Sequence, residues 1–265
     1  MNRLAGLLSR SVVASLTAAL LVISSTPWQR PRAMTVLVPA YIYPSGAGAE
    51  AWDRLCKAAR SLSVQVVINP ASGPGITADP NYVEVIKNLR DSGGKVLGYV
   101  HTSYGDRAIG LVLADITCYL DNYPVDGFFI DEMSTSPKQV SYYSGLYGFI
   151  KGQNPALEVV GNPGTNSNEA YMKSRTADRL VIFEGPATHF EEYLPAPWVR
   201  HYHSERFAHV IYGTGTAEEM LRVLTRTSGL HASAVFIGDG AGNNPYDRLP
   251  EYWEDEVAAL RSVRP

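Results

Sequence analysis

The sequence predicts a single-domain α/β protein of the (β/α)8, or TIM, barrel class, on three observations. Apolar runs of strand length alternate with helical runs eight times between Thr35 and the C-terminus. The strand runs are apolar almost throughout, as parallel strands covered on both faces require. Nearly every one ends in a hydrogen-bonding side chain at its C-terminal end, where barrels of this class carry their working face. An open doubly wound sheet competes, but Pro44-Ser45-Gly46-Ala47-Gly48 after the first strand is a poor match to a glycine-rich phosphate turn.

The first strand is expected over Thr35 to Tyr43 and its helix over Ala47 to Leu62. Val64 to Asn69 follows, leading into a turn rich in proline and glycine and a helix over Asn81 to Ser92. Lys95 to His101 and a helix from about Arg107 to Asn122 form the third unit; Val125 to Asp131 and Lys138 to Gln153 form the fourth. Glu158 to Gly161 precedes a short helix over Glu169 to Ser174. Leu180 to Glu184 is the sixth strand, with a helix near Phe190. Phe207 to Tyr212 pairs with a helix over Ala217 to Ser228, and Ala232 to Gly238 with a closing helix over Tyr252 to Ser262.

The chain has 265 residues, a formal net charge of -3 and 45% hydrophobic residues, values of a globular protein with no polyanion-seeking basic block, so nucleic acid is not expected as a partner. Arg3 and Arg10 precede an apolar stretch from Val12 to Ile23, short for a membrane span. Residues 1–26 therefore read as an export signal or an N-terminal anchor, 27–34 as a linker and 35–265 as the barrel, giving a secreted or cell-surface monomer that touches a membrane only through an uncleaved anchor. Cys56 and Cys118 fall in helical runs and read as buried free thiols. No histidine cluster has metal-ligand spacing: His201 and His203 lack a third ligand, so neither metal nor cofactor is expected.

The chemistry points to the strand ends. Gly127-Phe128-Phe129-Ile130 runs into Asp131-Glu132, and Leu180-Val181-Ile182-Phe183 into Glu184. A carboxylate at the tip of a buried strand costs free energy unless it is partnered or used. Alternation puts Gly127, Phe129 and Asp131 on one face, and Leu180, Ile182 and Glu184 likewise, leaving Phe128, Ile130, Val181 and Phe183 toward the helices. The fourth and sixth strands feed the same interior layer of a barrel, so Asp131 and Glu184 should converge, as the carboxyl pair of a glycosidase does. Glu132 either supplements that site or braces it. Around the acids, Asn69, His101, Tyr104, Asn162, Tyr212 and Asp239 are candidates for gripping sugar hydroxyls. Tyr41 and Tyr43 either stack on a sugar or pack the first strand. Trp198, with Phe183 and Pro186, could lower the polarity around Glu184. The loop from Asp239 to Asp247, including Asn244, either closes over a glycan or forms an Asx-type turn.

The segments Pro39-Ala40-Tyr41-Ile42-Tyr43-Pro44, Asn69-Pro70-Ala71-Ser72-Gly73-Pro74-Gly75, Gly98-Tyr99-Val100-His101-Thr102-Ser103-Tyr104-Gly105 and Val125-Asp126-Gly127-Phe128-Phe129-Ile130-Asp131-Glu132 resemble the spherulin-4-like glycoside hydrolases, from about Val36 to the final helix. That resemblance implies a (β/α)8 barrel and an acidic trio at Asp131, Glu132 and Glu184. It also implies an exported, endo-acting, retaining hydrolase of α-linked, N-acetylgalactosamine-containing (galactosaminogalactan-type) exopolysaccharide, such as a biofilm polymer. Asp131 is expected as nucleophile and Glu184 as acid/base. The alternative is a carbohydrate-binding or wall- or spore-associated structural protein using the same cleft without turnover. A deacetylase would need a metal triad, and an aldolase a strand-end lysine where Lys95 sits at the wrong end.

Overall fold

The computed structural model describes residues 34–262, so the expected signal or anchor over 1–26 and all of the linker but Met34 lie outside the described residues. Met34, placed in the linker, is already fully buried, so the core begins one residue early. Eight parallel strands close into a barrel in sequence order: β1 (Thr35–Ala40), β2 (Val64–Ile68), β3 (Lys95–His101), β4 (Gly127–Asp131), β5 (Glu158–Gly161), β6 (Arg179–Pro186), β7 (Phe207–Tyr212) and β8 (Ala234–Ile237), with β8 pairing back onto β1. The expected fold class is what is found. Helices α1 (Ala49–Ala59), α2 (Pro80–Asp91), α3 (Ile109–Asn122), α4 (Val140–Gln153), α5 (Ala170–Lys173), α6 (Ala187–Phe190), α7 (Ala217–Gly229) and α8 (Trp253–Ser262) follow the strands in turn.

Local chemistry explains the boundaries. Asp79 caps α2 by accepting from Asn81 N, with Pro80 in the first turn where its missing N–H costs nothing. Thr216 caps α7 by accepting from Glu219 N. β1 stops three residues before the expected Tyr43 because Tyr41 N donates to Tyr246 O, in the loop after β8, and not to a neighbouring strand. Cys56 and Cys118 are free thiols, as expected, but only half-buried.

Side-chain direction follows from contacts. Phe128 packs edge-on against Tyr119 of α3, so Phe129 and Asp131 face the interior. Phe183 packs against Phe190 and Tyr193, so Glu184 also faces inward. The alternation expected behind Glu184 does not hold. Val181 pairs with Ala208, yet Phe183 pairs with the very next residue, His209, which leaves Ile182 as an extra residue in a bulge. The bulge resets the parity, so Leu180 lies on the face opposite Glu184, near the Gly161 position and Ala177.

Across the bulge, His209 is fully buried with neither ring nitrogen hydrogen-bonded, flanked edge-on by Phe190 at 5.1 Å and Tyr193 at 5.7 Å. Burial, with the nearby Arg226 cation, pushes its imidazole down to about 3. The unfolded chain therefore takes up a proton that the folded chain refuses, and folding stability falls as pH drops from about 6.5 toward 3. His209→Leu is expected to flatten the acid side of a melting-temperature curve against pH, recovering on the order of a few kcal/mol near pH 4. An unchanged acid slope would show that His209 is not the acid-sensitive group.

Candidate active site

β5 lies between β4 and β6, and its next residue extends the ladder: Asn162 N donates to Ile130 O and Met133 N donates to Asn162 O. That backbone path places the Asn162 amide between the two strand-end acids. Its Nδ2 donates to Asp131 Oδ1 at 2.7 Å and to Glu184 Oε2 at 2.5 Å. Both bonds leave one nitrogen, so the two accepting oxygens are no farther apart than roughly 5 Å. Asp131 also receives the Tyr99 hydroxyl and the Glu132 backbone N–H, and Glu184 Oε1 receives the Tyr246 hydroxyl at 2.5 Å. Gly164, at φ 64°, presents its carbonyl to Glu184 N, a left-handed turn that glycine makes without strain.

Both acids are pushed above the ordinary carboxylate range, chiefly by burial. Three donors oppose that rise at Asp131. Two oppose it at Glu184, and a neighbouring charge adds to the rise at both acids, that of Glu132 at Asp131 and that of Asp131 at Glu184. No cation is among the groups acting on either acid within the described residues. Asp131 thus has one more donor to its carboxylate than Glu184 has, and both acids hold a proton more readily than an exposed carboxylate does, as acid/base work requires of one of a pair.

Tyrosines wall the site. Tyr41 meets Tyr99 and Tyr246 edge-to-face, each at 5.7 Å, and Tyr212 meets Tyr246 at 6.2 Å. His101 pairs in register with Asp131 and stacks on Tyr99. Of the expected residues, the structure therefore gathers Asp131, Glu184, Asn162, His101, Tyr41 and Tyr212. Asn162 is in direct contact with both acids, closer in than a peripheral sugar-binding role.

Other expected residues do different work. Glu132, at φ 50°, is tied to the β3–α3 turn, its Oε2 accepting from Ser103 N and its carbonyl oxygen from Tyr104 N, while its charge still acts on Asp131 and Tyr99. Tyr104 stands 63% exposed on that turn, held at φ 57°. Tyr43 is tied to the start of α2, donating to Asp79 and accepting from Asn81. Asn69 Oδ1 accepts from Gly73 N and shapes its own turn. Trp198, expected beside Glu184, instead packs on Tyr202 and Phe207 and donates to Ser167 O. Phe183 likewise faces Phe190, so the low polarity around Glu184 comes from tyrosines. Asp239 is paired with Arg248 and Glu251 N, and Asn244 Oδ1 accepts from Tyr246 N, the Asx-type turn.

Two site residues were not foreseen. Tyr99 lies two positions before His101 on one strand and so shares its face; carrying the alternation one step inward would have found it. Tyr246 is an aromatic in a loop of glycine, asparagine and proline, where no periodicity tells which way a ring points.

Residues 35–260 match the family described as spherulation-specific family 4, Spherulin4. The chain is also 33% identical over 240 residues to Spherulin-4 of Physarum polycephalum, covering 86% of this chain and 70% of that protein. This chain belongs to the Spherulin4 family. Among solved structures it is similar to Aspergillus clavatus Sph3 in complex with GalNAc, at 27% identity and a TM-score of 0.76, over 87% of this chain and 98% of that one. Active domain 2 of a thermostable chitinase from Pyrococcus furiosus, complexed with chito-oligosaccharides, aligns at 11% identity and a TM-score of 0.55 over 88% of this chain and 96% of that one, a likeness of fold.

Proposed function

We propose that this Spherulin4 member is an exported, endo-acting, retaining glycoside hydrolase that cleaves α-linked, N-acetylgalactosamine-containing exopolysaccharide. The observation that carries the reading is the Asp131–Asn162–Glu184 bridge, which holds one oxygen of each carboxyl within roughly 5 Å of the other, a closeness that favours retention over the wider separation inversion needs for its water. The relative crystallised with GalNAc supports the sugar. Tyrosines and a histidine around the pair, most of them half-buried, offer flat faces and hydroxyls suited to a pyranose ring.

In the first step the Asp131 carboxylate attacks the anomeric carbon while the bond to the leaving oxygen breaks and Glu184 gives that oxygen its proton. In the second, Glu184, now ionised, takes a proton from water as the water oxygen attacks the same carbon and Asp131 departs. Two inversions retain the anomer, and Glu184 ends protonated as it began.

The test is reducing-end release from galactosaminogalactan-type polymer by the wild-type protein, with product sizes read by mass spectrometry. Internal cleavage with retained α-anomers is expected. Tight binding of the polymer without release would favour the carbohydrate-binding role, and cleavage of a different glycan alone would overturn the substrate.

A further inference from the structure

Tyr246 reaches Glu184 from a loop that is pinned at several points. Asp239, just after β8, accepts from Arg248 Nη1 at 2.8 Å and from Glu251 N at 3.0 Å. A Cβ on Gly240 would lie 2.1 Å from Pro245 O, so the loop closes on itself only with glycine there. Gly213 N donates to Gly240 O, and Tyr246 O accepts from Tyr41 N, joining the loop to the ends of β7 and β1. The Tyr246 ring is then held edge-to-face by Tyr41, Tyr212 and Phe236. Phenylalanine would fill that space equally well. The buried hydroxyl is the part that packing does not explain, and its partner is Glu184 Oε1.

We propose that Tyr246 is a positioning residue for the acid/base, holding one oxygen of Glu184 while Asn162 holds the other, so that the carboxyl keeps a single orientation through both steps. The inference rests on the glycosidase reading for its consequence in catalysis, and on geometry alone for the contact. A hydroxyl donating to a carboxylate favours the ionised form. The groups facing Glu184 are Asp131 from β4, Asn162 from β5 and Tyr246 from the loop, with Tyr99 and Tyr41 behind them; burial and the Asp131 charge push its proton affinity up, and Tyr246 and Asn162 push it down. Removing the hydroxyl must therefore move the titration of Glu184 to higher pH.

The experiment compares wild type with Tyr246→Phe in two readouts. The side-chain carboxyl resonance of Glu184, assigned with Glu184→Gln and followed by carbon NMR in substrate-free protein, is expected to titrate at higher pH in the variant. Turnover of the polymer is expected to fall about ten- to a hundredfold, the scale of one hydrogen bond to a reacting charge, with the alkaline limb of the pH profile displaced upward. Tyr252→Phe, whose hydroxyl donates to Ile237 O in the same region, should leave the Glu184 resonance in place. An unmoved midpoint in Tyr246→Phe, or an equal displacement in Tyr252→Phe, overturns the proposal. The NMR readout needs no turnover, so failure of the wild type to cleave the polymer would count against the function and not against the contact.

Discussion

Asp131→Asn and Glu184→Gln should each cut release of reducing ends from the polymer by about a thousandfold or more, because in the proposed mechanism one variant lacks the attacking carboxylate and the other the group that moves the proton. Their responses to substrate chemistry should differ. A glycosyl fluoride leaves without a proton, so Glu184→Gln should still form the glycosyl-enzyme from it, whereas Asp131→Asn should not. Added azide should rescue Glu184→Gln, giving the α-azide by attack on the intermediate. In Asp131→Ala, azide would attack directly from the nucleophile's side and give the β-azide. Exchanged outcomes would assign the two roles the other way round, and full activity in both variants would overturn the mechanism. Folding supplies the control. Both acids have raised proton affinities in the folded protein, so they stabilise it most below the ordinary carboxylate range, and that contribution is lost as pH rises through their folded values. Near neutral pH the neutral amides should therefore melt no lower than wild type, and a calorimetric scan separates lost chemistry from lost fold.

How far the site was legible depends on how local its determinants are. The direction of Asp131 follows from Gly127-Phe128-Phe129-Ile130 by alternation, and the ladder to β3 is regular along that strand. Glu184 faces the same interior, but the count from Leu180 fails at the Ile182 bulge. That bulge answers to how many residues β7 supplies opposite, which the segment itself does not encode. Tyr41-Ile42-Tyr43 alternates like a strand, yet the residue that ends the ladder is Tyr246, more than two hundred positions away. The same distance hid Tyr246 as a site residue. Trp198 and Asp239 illustrate the converse. A large aromatic and a strand-end acid look functional by type, yet one fills the space beside Phe207 and the other is neutralised by Arg248. The acids of the site are told from Asp239 by what they lack, a cationic partner, and that is a property of the fold.

The bridging amide gives the second large effect. Asn162 is buried, and its Oδ1 has no hydrogen-bond partner among the described residues, so the side chain is held there by what its Nδ2 does. Asn162→Leu keeps the branching and heavy-atom count of the side chain in a larger volume, and removes the group that hydrogen-bonds both carboxyls. Two consequences follow together. The carboxyls lose a donor that favours their ionised forms, so both limbs of the pH profile of kcat/KM should move to higher pH. They also lose the tether that fixes their spacing, and misplacement of reacting groups on the ångström scale costs about a hundredfold in rate. kcat should therefore fall by about that factor with KM changed little, in steady-state kinetics on the polymer. A rise in KM with kcat intact would make Asn162 a sugar-binding residue and no organiser of the acids. Asn162→Asp sharpens the test. It exchanges the donor for a third carboxyl where two already compete, so its activity should be lower than that of the leucine variant at neutral pH and should recover partly as the pH is lowered, when one of the three can hold a proton and donate it to its neighbours.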